Sequence, residues 1–355
     1  MNKYYGLLFI FILLLSIVIA GCSNTKEEGT KTLKDETEDD NISIASEDNR
    51  FIFTANESGS ISKISVELQE IIETFEIDGI VHNIQVSPDG KIVGAVVVPT
   101  SHGDDHSMAM PGKAIFFNPE TNKMIDEVEV GNHPAHIVFT EDGKYVLVTN
   151  NEDNTVSVID AKDYSIIQTI PTGKGPHGFR ISNDSKLAYV ANIGESSVSV
   201  LDLQSFKEVD KIQVGSTPVT TGITSDGNTL VVTLNKDNAL AIFDLTSGEI
   251  AKVNVGDGPA QVYIQPDNQF AYVANQGTEK NPDQSVSKVE LKSKKVTATI
   301  ETGLGSHGVV TSEDSKFTYV TNMFDNTVSV IDNEQNKVIQ TIKVGKTPNG
   351  ISIQP

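Results

Sequence analysis

The feature that most constrains this chain is a phrase that keeps coming back. One unit runs Gly131-Asn-His-Pro-Ala-His136, then Glu141-Asp-Gly143-Lys-Tyr-Val-Leu-Val-Thr-Asn150, then Asp153-Asn-Thr-Val-Ser-Val-Ile-Asp160, and ends on Ile166-Ile-Gln-Thr-Ile170. Units of the same pattern start at Gly173, Gly215, Gly256 and Gly303, with a last fragment at Gly345. The Gly303 unit restates the phrases closely, as Tyr319-Val-Thr-Asn322, Asp325-Asn-Thr-Val-Ser-Val-Ile-Asp332 and Val338-Ile-Gln-Thr-Ile342. Each unit holds four alternating apolar runs separated by Gly, Asp, Asn or Pro, which is the pattern of four short antiparallel strands.

Four strands in about 40 to 45 residues make one blade of a radial array. A four-stranded sheet with two apolar faces buries both only between neighbours, and no polar cap marks an open stack, so the expected architecture is an all-β ring, a β-propeller. The ends fix the number. Phe51-Ile-Phe-Thr-Ala-Asn56, Ile61-Ser-Lys-Ile-Ser-Val66 and Ile71-Ile-Glu-Thr-Phe75 read as strands two to four of a unit that lacks its first. Pro348-Asn-Gly-Ile-Ser-Ile353 reads as a first strand without the other three. With whole units beginning near Asp78 and at 131, 173, 215, 256 and 303, the expectation is seven blades, closed by strand exchange between the termini.

The Tyr-Val-Thr-Asn and Asn-Thr-Val-Ser-Val-Ile-Asp phrases resemble the YVTN family of β-propeller repeats of surface-layer and periplasmic proteins. The resemblance runs from about residue 49 to 355 and implies the fold; it implies little about activity, because the fold hosts many functions.

Upstream, Lys3 precedes an almost unbroken apolar run from Gly6 to Ile19, followed by Ile19-Ala-Gly-Cys22. A run this short suits a signal h-region better than a membrane span. The tetrapeptide resembles the lipobox of bacterial lipoproteins, which implies cleavage after residue 21 and acylation of Cys22. Residues 23–48 are polar and acidic, too poor in apolar side chains to fold, so they read as a solvated tether. The expected organisation is therefore a signal peptide at 1–21, a lipid-anchored tether at 22–48 and a propeller at 49–355. That places the protein outside the cytoplasm, palmitoylated and held to the bilayer through Cys22. Cys22 is the one cysteine, so the chain cannot close an internal disulfide. A formal charge of −21 with two arginines, Arg50 and Arg180, excludes nucleic acid as the main partner.

With strands named A (inner) to D (outer), the seven histidines fall on one face of the ring. His82, His133, His136, His177 and His307 sit in or just after D–A connections, and His102 and His106 in the B–C connection of the first whole blade. That connection carries an insertion, Pro99-Thr-Ser-His102-Gly-Asp-Asp-His106-Ser-Met108-Ala-Met110-Pro-Gly112, which mixes imidazole, carboxylate and thioether ligands. Imidazole suits zinc and copper, and thioether sulfur favours Cu(I). The expected site is thus a divalent zinc or copper centre drawn from His102, His106, Met108 and Met110 with His82, His133, His136, His177 and His307. Against it, the Pro-His-Gly phrase is common in such repeats, so His177, His307 and His82 also read as packing residues.

The fold with a His-rich loop resembles the periplasmic propellers that act as zinc chaperones for uptake systems, which implies a non-catalytic binding protein partnered by a metal-transporter component or another extracytoplasmic protein. Two alternatives stand beside it. One is a protein-interaction or adhesion scaffold without metal. The other is a propeller enzyme such as a lactonase, for which Arg180 beside His177 is the sole inner-strand hint. No nucleophile–base pair, phosphate loop or Cys-x-x-Cys-His motif is present, so no enzyme is expected. A second insertion, residues 276–284, reads as a surface loop, and Asp160, Asp202, Asp244 and Asp332 read as turn formers.

Overall fold

A computed structural model describes residues 48–100 and 110–355. The described chain forms seven four-stranded antiparallel sheets arranged as a seven-bladed propeller. Six blades are contiguous in sequence: β4–β7 (residues 80–132), β8–β11 (134–171), β12–β15 (176–213), β16–β19 (218–254), β20–β23 (259–301) and β24–β27 (306–343). The seventh sheet joins β28 (Pro348–Ile353), β1 (Phe51–Asn56), β2 (Ser60–Ser65) and β3 (Glu70–Glu76) in that order, with β28 paired antiparallel to β1. The inner strands β4, β8, β12, β16, β20, β24 and β28 lie side by side in that order, and β28 returns to β4.

Burial follows the radial position of each strand. Inner and middle strands such as β8 (Pro134–Phe139) and β9 (Tyr145–Asn150) are buried almost throughout. Outer strands such as β11 (Ile166–Pro171) and β15 (Lys207–Gln213) are mostly exposed. The cores lie between blades. Phe116 and Ile137 share one cluster across the first two whole blades, and Val138 and Phe179 share another across the next pair. The 276–284 insertion is not a loop: it lengthens the hairpin of β21 (Phe270–Gly277) and β22 (Pro282–Glu290), with Gly277 paired to Pro282. Asp160, Asp202, Asp244 and Asp332 do close turns, each carboxylate accepting backbone N–H groups two or three residues on.

Among the described residues, no helix is long and apolar enough to cross a membrane. The apolar run at residues 6–19 read as a signal segment, Cys22 and the loop residues His102, His106 and Met108 lie outside the described residues.

Candidate functional site at the channel mouth

Four imidazoles meet where the inner strands begin. His82 comes from β4 (Ile80–Val86), His136 from β8 and His177 from β12 (Pro176–Ile181), with His133 in the connection before β8. Ring centroids lie 5.0 Å apart for His136 and His177, 5.5 Å for His82 and His177, 6.2 Å for His82 and His133, and 6.3 Å for His82 and His136. The residues converge because each takes an early position on an inner strand, and the ring of blades carries those positions to one axis.

Their tautomers are fixed by the neighbouring blade. His82 Nδ1 lies 3.0 Å from the Ala135 carbonyl, His177 Nδ1 3.2 Å from that of Val219, and His307 Nδ1 3.2 Å from that of Asn349. A carbonyl only accepts, so each Nδ1 carries the proton and each Nε2 keeps a bare lone pair. The three contacts share a rule: a histidine on one inner strand is bonded to the second residue of the next.

Burial and the neighbouring histidines push these groups away from charge. His177 is lowered to about 3 by desolvation, then by His82 and His307. His307 is lowered to about 4 by desolvation, against the pull of Glu57. His136, buried and surrounded by imidazoles, stays neutral across the ordinary range, and its Nε2 has no hydrogen-bond partner. His82 is lowered by desolvation while Glu57, 3.9 Å from its Nε2, acts in the other direction. His133 stands at the rim with φ of 49° and its Nδ1 3.6 Å from Glu152.

This arrangement corrects the expected zinc or copper centre. Among the described residues, no group of three or more His, Cys, Asp or Glu side chains could hold a metal ion. The rings pack on one another edge-on or tilted. Met110 does not join them either. It is half-exposed and lines a separate cavity of about 570 Å³ with Ile77, Val97, Pro99 and Met124; no histidine among the described residues lines it.

At the opposite end of the same inner strands lies a polar well. Arg180, Tyr263 and Gln85 stand near the ends of β12, β20 (Pro259–Ile264) and β4, with Gln261 and Thr311 beside them. The sequence set Arg180 beside His177; the ring places it in this well with residues of other blades.

Likeness to known proteins agrees with the propeller. The family described as YNCE-like beta-propeller matches residues 121–270, and the cytochrome D1 heme domain matches residues 224–350. No curated protein matches the chain. Among solved structures, hydrazine synthase of Kuenenia stuttgartiensis is 22% identical over 77% of this chain and 89% of its own, with a TM-score of 0.67. A dihydro-heme d1 dehydrogenase is 17% identical, with a TM-score of 0.61, over 83% of this chain and 64% of its own. A protein of Bacteroides fragilis proposed to be a 6-phosphogluconolactonase is 16% identical over 87% of this chain and 99% of its own, with a TM-score of 0.69. At these identities the likeness shows the fold.

Fold and site together define a β-propeller with a cluster of histidines at one channel mouth. The expectation of a non-catalytic zinc- or copper-handling protein is corrected. No ion-binding group exists among the described residues, and these likenesses run to a heme domain and to propeller enzymes. The description as a palmitoylated, membrane-bound, metal-binding lipoprotein is corrected with it: the metal site is missing among the described residues, and the anchor reading hangs on the single Cys22, outside them. The heme-domain match spans only His307 of the described histidines, so it does not itself carry the cluster.

Proposed function

We propose that this chain is a propeller enzyme of the redox kind whose histidine mouth holds an iron tetrapyrrole related to heme d1. One observation carries the reading. His177 is anchored through Nδ1–H to a backbone carbonyl and keeps an unprotonated Nε2, beside the buried, unpartnered Nε2 of His136. An imidazole fixed at one nitrogen and open at the other is how histidine is set to ligate iron, and one such ligand suffices for a tetrapyrrole. His177 is the residue that would hold it, because His82 Nε2 already faces Glu57 and His136 is buried. With its own protonation displaced to about 3, His177 Nε2 has no proton to give up at neutral pH. His82 and His136 fix the His177 ring by packing, and His133 with Glu152 forms the polar rim. The bound group supplies electron-transfer chemistry; the protein supplies the ligand, its orientation and a dry surround.

The lactonase reading uses the same imidazoles as general bases. A base whose affinity for protons lies near 3 is poorly matched to catalysis at neutral pH, so the redox reading is preferred. The proposal also places the protein outside the cytoplasm, on the strength of the apolar run at residues 6–19. It takes the pairing of β28 with β1 to be the closure of the ring by exchange between the termini, and the repeats to be of the YVTN type.

The test is a titration of the full chain with hemin, followed by the Soret band. A saturable shift near one equivalent, lost in His177→Ala and kept in His307→Ala, is the expected result. No saturable shift, or an unchanged one in His177→Ala, would return the protein to the scaffold reading.

A further inference from the structure

We infer that the well at the other end of the channel is a second binding site, for a small organic carboxylate that also carries hydroxyl or ammonium groups. Two cavities of about 230 and 420 Å³ share Gln85, Glu141, Arg180, Tyr263, Pro266 and Glu313 and form one well under the A–B turns. Together they lie in the range of small-molecule sites.

Arg180 is the cation of this well. Its guanidinium has five N–H donors, and the one hydrogen bond it makes among the described residues runs from Nη1 to the Phe179 carbonyl at 2.9 Å. Among the described residues no carboxylate lies within salt-bridge distance of it; its other near neighbour is the Tyr263 ring, 5.6 Å from Cζ. A partly enclosed guanidinium with open donors is suited to bidentate recognition of a carboxylate.

A second, independent observation points the same way. Gln261 Nε2 and Thr311 Oγ1, on side chains 3% and 2% exposed, line the well and have no hydrogen-bond partner. Gln261 stands next but one to Tyr263 on β20, and Thr311 ends β24 (Ser306–Thr311), so both donors reach the well from blades other than that of Arg180. Buried polar atoms left bare cost stability, and their concentration at one cavity is the mark of groups kept for a ligand. On the same wall the Gln85 amide oxygen accepts from Phe139 N at 2.7 Å, and Gln265 Nε2 donates to the Ser315 carbonyl.

Charge sets the orientation. Glu141 and Glu313 stand on the well's edge, and partial desolvation there raises the Glu141 carboxyl above its usual range, against the pull of Arg180. A ligand with its carboxylate on Arg180, Gln261 and Thr311 and its donor groups toward Glu141 and Glu313 satisfies both ends. A bare polyanion would meet the two glutamates and an acidic surface.

The experiment is calorimetric titration of the full chain with malate, gluconate and glutamate, and with sulfate as the inorganic control, at low salt. At least one carboxylate should bind saturably with a millimolar or tighter dissociation constant, and sulfate should bind at least tenfold more weakly. Arg180→Gln should weaken binding by roughly 10- to 100-fold, the scale of a charged hydrogen-bonded pair. Gln261→Leu keeps the shape of the wall and should cost several-fold, which preserves the test if Arg180→Gln does not fold. No saturable binding of any carboxylate, sulfate binding as tight, or undiminished binding in both variants would overturn the assignment. Hemin binding at the histidine face is read separately and does not bear on this outcome.

Discussion

Asn150 ties three strands together with one side chain. Its Nδ2 donates to Thr155 Oγ1 at 3.0 Å and Ser157 Oγ at 2.9 Å, and its Oδ1 accepts from Gly131 N at 3.0 Å. Asn322 repeats all three contacts with Thr327, Ser329 and Gly303, and Asn192 repeats the two donated ones with Ser197 and Ser199. The opening glycine follows from this: a Cβ on Gly131 would fall 2.6 Å from Asn150 Cγ, so the D–A connection has room only for hydrogen. Asn150→Leu strands two hydroxyls and a backbone N–H in the interior and should lower stability by about 1 to 3 kcal/mol, measured as a reduced urea midpoint. The histidines set a pH dependence. His177 and His307 are held near 3 and 4 in the folded chain against 6.5 when free, so the unfolded chain binds more protons as pH falls below about 6.5. Stability is therefore complete above that pH and declines toward pH 4, and thermal melts should show it. His307→Asn should flatten the decline; an unchanged slope would mean that other groups carry it. The repeated letters marked all these positions in advance, but the asparagine's partners and the histidines' carbonyls lie across connections and blades, where spacing alone has no reach.

Blades are joined by more than apolar packing. Lys63, buried on β2 (Ser60–Ser65), sends Nζ to the Pro119 carbonyl at 2.6 Å and Asn122 Oδ1 at 3.1 Å in the next blade's outer turn. Lys288 on β22 does the same to Asn333 and Asn336. Each ammonium also sits over an aromatic ring, Phe51 at 3.9 Å and Phe270 at 4.4 Å. Desolvation lowers both lysines, and the carbonyl partners compensate for the lost water. The β28–β1 pairing carries the largest consequence at this scale. Removing residues 348–355 leaves β1 with an unpaired edge and strips Ile351 from the core it shares with Ile52 and Val328. That truncation should abolish cooperative melting or drive aggregation. A truncated chain that melts as sharply and as high as the intact one would show that the pairing does not hold the ring.

At the scale of the whole molecule, charge and topology act on each other. A net charge of −21 on one chain favours solubility and opposes compaction through self-repulsion. Raising salt from about 10 to 300 mM shortens the screening length several-fold and should raise the melting temperature by a few degrees. A fall instead would place the balance with attractive surface pairs such as Lys252–Asp237 and Lys113–Glu127. The repeat and its two incomplete ends were enough to read an all-β chain of seven four-stranded blades, because blade formation depends on local alternation and turn residues that a linear string displays. The same string suggested a metal centre, because it shows which ligands exist but not which way they face. Only the ring decided that: it turned His82, His177 and His307 toward the carbonyls of adjacent blades, and it brought Arg180, Gln261 and Thr311 from three blades to one well. Those arrangements depend on the angle between blades, which no single repeat encodes.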